Sequence, residues 1–232
     1  MRYDGSHIYP CMSKVAAIIP ALNEEKTIGG VVRTLKSSPF VHEVIVVSDG
    51  STDHTAQEAT AAGADAVQVL STRGGKGNAM AYGLTRTDAP IIFFADADLK
   101  RLNVDHIRAI LEPVLEGKRA MNVGLRDRGR FWTWPAKFLP LIGGERALRR
   151  EVFDNIPGHL RQGFKVEIAM NAYCRANNLS YGYVVMPGIG IVRKMEKFGV
   201  LRGFVEYIKM WIAVGKAMFE VRLARHLLRR KT

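Results

Sequence analysis

The sequence predicts an α/β fold with a doubly wound, mostly parallel sheet flanked by helices, and three observations support it. Short apolar runs recur along the N-terminal part of the chain, stretches with helical periodicity separate them, and polar clusters follow three of the runs. Continuous rather than alternating apolar runs are typical of strands covered on both faces, as in a parallel sheet. Strands that alternate with helices then favour right-handed βαβ units.

The individual elements follow from the same patterns. In the N-terminal part we predict strands at residues 15–19, 44–47, 66–70 and 91–95, separated by helices at residues 27–35, 53–62 and 78–84. Farther along we predict strands at residues 121–125 and 183–186 and helices at residues 145–153 and 166–176. After residue 199, apolar residues, among them Ile212 and Phe219, recur at helical spacing opposite Lys216 and other cations. That pattern predicts a C-terminal amphipathic helix.

Composition indicates a globular protein of a reducing, cytoplasmic compartment. The chain has 232 residues, of which 47% are hydrophobic and 24% charged, and it is long enough for one substantial core. Its two cysteines, Cys11 and Cys174, are too few for a disulfide framework. No stretch reaches the ~18 to 20 apolar residues that a membrane-spanning helix needs. The N-terminus also lacks the apolar core of a signal peptide.

Positive charge is the unusual feature of the composition. Lys and Arg outnumber Asp and Glu by 34 to 22, which gives a formal net charge of +12. Such an excess favours anionic partners, namely nucleoside diphosphates, lipid phosphates, an anionic membrane surface or nucleic acid. No nucleic-acid-binding motif is present, and the cations are enriched in the last forty residues rather than along one sheet face. We therefore expect no nucleic-acid partner.

Three polar clusters lie where predicted strands end, at residues 20–25, 48–53 and 96–98. In an open α/β sheet such positions converge on one crevice beyond the carboxyl ends of the strands. Taken singly, each cluster is equally well explained as a helix entry, an N-cap or the polar end of a strand. Their joint occurrence in this order favours a ligand site.

Four segments carry a more specific pattern: VAAIIPALNEEKTIGGVV, EVIVVSDGSTDHT, GGKGNAMAYGL and IIFFADADL. They resemble the successive signatures of the family-2 glycosyltransferases, which share the GT-A fold, and they cover Val15 to Leu99 almost continuously. Within the family they are similar to dolichyl-phosphate mannose synthases and glucosyl-3-phosphoglycerate synthases. We predict an N-terminal extension at 1–13, a glycosyltransferase domain at 14–198 and a basic amphipathic helix at 199–232. Within the domain, 14–99 would be the nucleotide-binding half and 100–198 the acceptor half.

The same resemblance implies roles for individual residues. The Asp-X-Asp motif would supply a metal ligand, Asp98, for Mg²⁺ or Mn²⁺, which neutralises the charge that develops on the leaving diphosphate. Its first carboxylate, Asp96, would contact the ribose or support the site, and the backbone of Ala97 would line the nucleotide. Lys76 would lie near the diphosphate or the base. The remaining contacts to the nucleotide sugar would come from Pro20, Ala21, Leu22, Glu24 and Asp49.

The catalytic base and the third metal ligand are less well defined by the sequence. Inverting transfer to a hydroxyl needs a carboxylate that takes its proton. Glu167 resembles the acidic position near the acceptor in related enzymes, and Glu145 is the other candidate. An acceptor that is itself a phosphate arrives deprotonated and needs no base. The phosphoglycerate-using relatives complete the metal site with a histidine after the last strand, whereas residues 187–193 contain none and His159 is the nearest upstream alternative.

The sequence alone leaves alternatives for the acceptor, for the class of enzyme and for the oligomeric state. The basic C-terminal end favours a polyprenyl or other lipid phosphate and peripheral contact with the inner face of the membrane. A small phosphorylated acceptor is the alternative, and the C-terminal helix is then packed on the domain. A sugar-phosphate nucleotidyltransferase would carry a glycine-rich, Arg-containing signature after the first strand, where this chain has Pro20 to Glu24. Both a monomer and a homodimer are compatible with the sequence.

Overall fold

A mixed sheet organises the protein. The computed structural model describes residues 13–126, 143–163, 165–189 and 200–229, with the backbone alone for residues 200–211. Its sheet has the order β3-β2-β1-β4-β6-β5-β7. The strands are β1 (Val15–Ala21), β2 (Glu43–Asp49), β3 (Ala66–Leu70), β4 (Ile91–Phe94), β5 (Met121–Arg126), β6 (Arg146–Arg149) and β7 (Tyr181–Met186). All neighbouring strands run parallel except β6, which is antiparallel to both β4 and β5.

Helices cover both faces of the sheet. They are α1 (Ile28–Lys36), α2 (Thr55–Ala61), α3 (Lys76–Leu84), α4 (Val104–Leu115), α5 (Arg150–Asp154), α6 (Lys165–Ala176) and α7 (Val200–Leu223), with 3₁₀ turns at Gly158–Leu160 and Ala224–Leu228. Alternate residues of β1 enter the two cores: Ile18 belongs to the core that includes residues of α3 and α6, and Ile19 to the core that includes residues of α1 and α4. The predicted doubly wound, mostly parallel sheet with a C-terminal helix is therefore confirmed.

The strands β1, β2 and β4 lie where the sequence predicts them, with ends that differ by at most two residues, because they are buried on both faces and read as apolar runs. The predicted helix at 145–153 is wrong over its first half. Residues 146–149 form β6 instead, with Ile92 opposite Leu148 on one side and Val123 opposite Arg146 on the other. Pairing with two neighbours outweighs the helical spacing of the charges, and only α5 remains helical.

Two further differences concern helices. The sequence pattern did not identify α4, which begins at the Asn103 cap, whose side chain accepts a hydrogen bond from the His106 N–H at 2.9 Å. In α7 the predicted segregation of apolar from basic residues is wrong, since Ile212 and Phe219 are exposed, as Lys216 is. In the described part of the chain, no helix has both the length and the apolarity to cross a membrane. Most of the predicted N-terminal extension lies outside the described residues.

Close approach of two backbones favours glycine at position 77. A Cβ added at Gly77, in the first turn of α3, would lie 1.4 Å from the Arg161 carbonyl oxygen, whereas one added at Gly30 in α1 would meet nothing within 4 Å. We expect Gly77→Ala to lower the free energy of unfolding by about 1 to 3 kcal/mol because the backbones must separate. Gly30→Ala should raise it by roughly 0.5 to 1 kcal/mol through helix propensity. Urea denaturation measures both, and equal effects of the two substitutions would contradict the predicted contact.

Candidate active site

The loops after β1 and β2 are held together by hydrogen bonds. The Asn23 amide oxygen accepts from the Thr52 N–H at 2.8 Å, and the Glu24 N–H donates to the Thr55 hydroxyl at 2.8 Å. Asn23 adopts a left-handed backbone conformation, with φ of 54°, which turns the chain from β1 towards α1. Because β1 and β2 are parallel neighbours, these loops form one continuous rim at the carboxyl edge of the sheet.

Asp49 connects this rim to the next loop. Its two carboxylate oxygens accept hydrogen bonds from the backbone N–H groups of Gly74 and Gly75, each at 2.7 Å, and the residue is buried. Gly75 has a φ of 88°, a conformation that costs glycine little and other residues more. Asp49 thus fixes the glycine loop from which α3 begins, and the next residue in that loop is Lys76.

Lys76 joins two carboxylates that are distant in the sequence. Its ammonium group lies 2.8 Å from Asp96 Oδ1 at the end of β4 and 3.2 Å from Glu167 Oε1 on α6. Glu167 is 6% exposed, and its Oε2 is buried without a hydrogen-bond partner among the described residues. The candidate base is therefore placed beside the Asp-X-Asp motif.

Arg126, at the end of β5, contacts three carboxylates. Its Nη2 is 3.0 Å from Asp96 Oδ2, 3.4 Å from Asp98 Oδ1 and 2.8 Å from Glu145 Oε1. Glu145 is 1% exposed and joins the site because its carbonyl accepts the Gly124 N–H when β6 pairs with β5. The Asp98 side chain is 54% exposed and faces the open side.

Burial and contact with an opposite charge shift the pKa values of Lys76, Asp96 and Glu145 in opposite directions. Burial would raise the pKa of Asp96, but Lys76 and Arg126 hold it below its usual range. Burial would likewise lower the pKa of Lys76, yet Asp96 and Glu167 raise it, so the ammonium stays charged. Glu145 shows the reverse balance: its pKa is raised by burial and by the nearby Asp96, against the effect of Arg126. The site thus contains fixed positive charge at Lys76 and Arg126.

The structure brings together most of the residues that the sequence singled out. Lys76, Asp96 and Glu167 are in direct contact, and Asp98 lies within reach of the same guanidinium as Asp96. The residues Pro20, Ala21, Leu22 and Glu24 line the adjoining rim at the end of β1, and the Ala97 side chain is buried. Their contacts to a nucleotide stay predictions.

Two parts of the site were not anticipated. Arg126 lies at the end of β5 and contacts the Asp-X-Asp carboxylates, and no sequence spacing connects it to them. Arg146 is fully buried beneath the site, where its guanidinium donates to the Gly143 carbonyl at 2.8 Å and to the Glu167 carbonyl at 3.5 Å.

The donor set suits a hard divalent cation. Asp96 and Asp98 offer carboxylate oxygens, and Mg²⁺ is commonly bound through one or two carboxylates while phosphate oxygens and water complete its shell. These oxygens converge on a position that already stabilises positive charge, since one guanidinium nitrogen contacts both aspartates. Among the described residues, no three His, Cys, Asp or Glu side chains are grouped to hold a metal ion by themselves.

Comparison with known sequences gives a consistent result. The model of "Glycosyl transferase family 2" matches residues 16–163. A glucosyl-3-phosphoglycerate synthase of Mycolicibacterium smegmatis is 31% identical over 195 residues, which are 69% of this chain and 64% of that protein. A 4,4'-diaponeurosporenoate glycosyltransferase of Staphylococcus aureus is 38% identical over 109 residues, 45% of this chain and 29% of that protein. The chain thus spans less than two thirds of the length of these relatives.

Solved structures show the same architecture. Glucosyl-3-phosphoglycerate synthase of Mycobacterium tuberculosis is 27% identical, with a TM-score of 0.63 over 75% of this chain and 71% of that one. The complex of that enzyme with Mn²⁺, uridine diphosphate and phosphoglyceric acid is 24% identical, with a TM-score of 0.69 over 95% of this chain and 80% of that one. These likenesses confirm the expected GT-A fold.

The Lys76–Asp96 contact predicts a pH-dependent loss of stability. Lys76→Met removes a charged partner from a largely buried carboxylate, which should cost roughly 1 to 3 kcal/mol at pH 7. A carboxyl whose pKa is lowered on folding contributes stability above its unfolded value of 3.8 and loses it as the pH falls. The difference between wild type and variant should therefore persist above 3.8 and shrink as the pH falls below it, in urea denaturation followed by circular dichroism.

Lys36→Met is the matched control, because Lys36 pairs with Asp65 at 2.7 Å with both side chains more than a third exposed. Exposed ion pairs contribute about 0 to 1 kcal/mol. If the two substitutions cost the same at pH 7, the Lys76 contact is not the buried one described.

Proposed function

The chain belongs to glycosyl transferase family 2, and on that premise we propose that it transfers a sugar from a UDP- or GDP-sugar to an acceptor with inversion at the anomeric carbon. One observation carries the proposal: Lys76, Asp96, Asp98 and Glu167 arrive from three separate segments and converge beyond the carboxyl ends of the strands. That edge is where open α/β sheets bind their ligands. The loops after β1 and β2 supply the adjoining surface for the base and ribose.

We assign different residues of the site to different parts of the donor nucleotide sugar. The rim from Pro20 to Glu24, together with the loop that Asp49 holds, receives the nucleoside. Lys76 stays charged beside Asp96, so it can face the diphosphate with a fixed positive charge. Asp96 supports the site rather than acting as the principal metal ligand, because its two oxygens are already engaged by Lys76 and Arg126.

Asp98 is the residue that we propose as the principal ligand of Mg²⁺ or Mn²⁺. A divalent ion bound there neutralises the negative charge that builds up on the departing diphosphate. Asp98 is the most exposed carboxylate of the cluster, and its contact with Arg126 is the longest at 3.4 Å. Its oxygen is therefore the one most readily released from the guanidinium.

Glu167 is the candidate base for a hydroxyl acceptor. Its Oε1 is held by Lys76 at 3.2 Å, which orients the carboxylate, while Oε2 has no partner among the described side chains. A positioned carboxylate with one oxygen unengaged can accept the proton of an attacking hydroxyl. Glu145 is less accessible to an acceptor, because it is 1% exposed and Arg126 holds its Oε1 at 2.8 Å.

A phosphorylated acceptor fits the charge of the chain, and we propose a lipid phosphate, used by a cytoplasmic enzyme at the inner face of the membrane. The net charge of +12 and the cationic C-terminal helix support it. A small phosphorylated acceptor is the second candidate, supported by the 31% identity to a glucosyl-3-phosphoglycerate synthase. The missing histidine in residues 187–193 weighs against that second candidate.

Replacing Asp98, the proposed metal ligand, should make the affinity for the nucleotide independent of the metal. In wild type, Mn²⁺ should tighten UDP or GDP binding in calorimetry, and Asp98→Asn should abolish that enhancement while leaving binding in EDTA unchanged. Asp105→Asn, at an exposed aspartate in the first turn of α4, is the matched control and should behave as wild type. Full transfer activity of Asp98→Asn in EDTA would refute the metal assignment.

The role of Glu167 distinguishes the two kinds of acceptor nucleophile. With a polyprenyl phosphate as acceptor, Glu167→Gln should keep turnover within about tenfold of wild type, because a phosphate oxygen has no proton to lose. With a hydroxyl acceptor the loss should reach roughly 10² to 10⁴-fold. Initial rates on both acceptors, with UDP affinity measured in parallel to show that the donor site is intact, separate these cases. A 10²-fold or larger loss on the phosphate would contradict our assignment of it as the nucleophile.

A further inference from the structure

Over residues 212–223, whose side chains the structure describes, the C-terminal helix α7 packs on the domain through one face. Val214, Ala217 and Val221 are buried, and the helix contacts α6 along this inner face. Lys165 on α6 pairs with Glu220 at 2.9 Å, and the Asn177 side chain donates to the Leu228 carbonyl at 2.7 Å. The inner face therefore accounts for the described contacts of the helix, and on the opposite side the side chains of Ile212, Phe219 and Leu223 are exposed.

The outer face carries large apolar side chains at helical spacing. Ile212, Phe219 and Leu223 are 65%, 63% and 64% exposed and follow one another by seven and four residues, so they lie along one side of the helix. Met218 and Leu227 border them. These five residues, here called the outer stripe, make up most of the large exposed apolar residues in the described chain, the others being Val69 and Val185. Such clustering, unlike scattered apolar residues, marks an interaction surface.

The charges around the outer stripe are positive. Lys216 lies between Ile212 and Phe219 on the same side of the helix, and Arg222 follows Phe219 by three residues. Arg225 and Arg229 are exposed farther along. Among the described side chains of this helix and the following turn, the acidic one is Glu220, and Lys165 already pairs with it. Long cationic side chains beside apolar ones can extend towards lipid phosphates while their stems add to the apolar surface.

We propose that the outer stripe docks the protein on an anionic lipid bilayer, with the apolar side chains at the acyl boundary and Lys216 and Arg222 at the headgroups. An interfacial helix needs this combination of an apolar strip and flanking cations. A second copy of the chain fits less well, because two stripes facing each other would bring like charges together. The inference rests on the proposed location at the inner face of the membrane and deepens it by naming the surface that contacts the lipid, and it holds whichever acceptor is used.

Cosedimentation of the full chain with vesicles that lack any acceptor tests the docking surface separately from the transfer reaction. We expect binding to phosphatidylcholine vesicles with 30% phosphatidylglycerol at low salt, little binding to pure phosphatidylcholine, and release at high salt. Phe219→Ser with Leu223→Ser should weaken the partition coefficient by roughly tenfold or more, because both side chains leave the acyl boundary. Val69→Ser, at a valine that is 65% exposed on β3, is the matched control and should bind as wild type.

Charge variants complete the test. Lys216→Gln and Arg222→Gln should each weaken binding to the anionic vesicles by about fivefold at low salt. Circular dichroism melting should show all variants folded as wild type, since every substituted side chain is exposed. A wild type that ignores anionic vesicles, or a Phe219→Ser, Leu223→Ser variant that binds them normally, would overturn the proposal. A concentration-dependent dimer that this double variant abolishes, without vesicle binding, would assign the surface to a second copy instead.

Discussion

Neutralisation of buried negative charge is the constraint around which this molecule is organised. Three largely buried carboxylates, those of Asp96, Glu145 and Glu167, gather at the carboxyl edge of the sheet beside the more exposed Asp98. Removing such groups from water is expensive unless they are paired and hydrogen-bonded. Lys76 and Arg126 meet this requirement from opposite sides of Asp96. The elements that supply these side chains, α3, α6 and β5, must therefore all be in place before the site is electrostatically stable.

Close packing limits how these elements can approach. A Cβ at Gly144 would lie 2.0 Å from Asp96 Oδ2, and one at Gly83 would lie 2.4 Å from an Ile18 methyl group. Glycine at these positions lets the segment before β6 reach the Asp-X-Asp motif and lets α3 pack on β1. The same segment then carries Glu145 to Arg126 and Arg146 beneath Glu167. The glycine at position 144 thus gives the space in which the ion pairs of Asp96 and Glu145 with Arg126 form.

The sequence identified the parts of this arrangement that depend on local pattern. The strands β1, β2 and β4 appear as apolar runs because both their faces are buried, and the polar residues that end them are adjacent in sequence to those runs. Lys76 and Asp98 were found in the same way, through signatures confined to short segments. The family assignment rested on these signatures and is confirmed by the match over residues 16–163.

What the sequence did not identify depends on pairing between distant segments. The strand β6 has charges at a spacing that also suits a helix, and only its insertion between β4 and β5 selects the extended form. The contact of Arg126 with Asp96 and Glu145 arises from that insertion, so no local spacing could indicate it. In α7, both faces carry apolar residues, and burial against α6 alone distinguishes the inner from the outer one.

The carboxylate of Asp49 has a thermodynamic consequence for ligand binding. By accepting the N–H groups of Gly74 and Gly75, it restricts a glycine segment that would otherwise have great conformational freedom. The loss of chain entropy in this loop accompanies folding and does not recur when a nucleotide arrives. When a ligand binds a loop that is already ordered, less of the interaction free energy is spent on ordering the loop. The ligand therefore binds more tightly than it would bind a flexible loop with the same contacts. Asp49 thus orders the glycine loop in the absence of substrate.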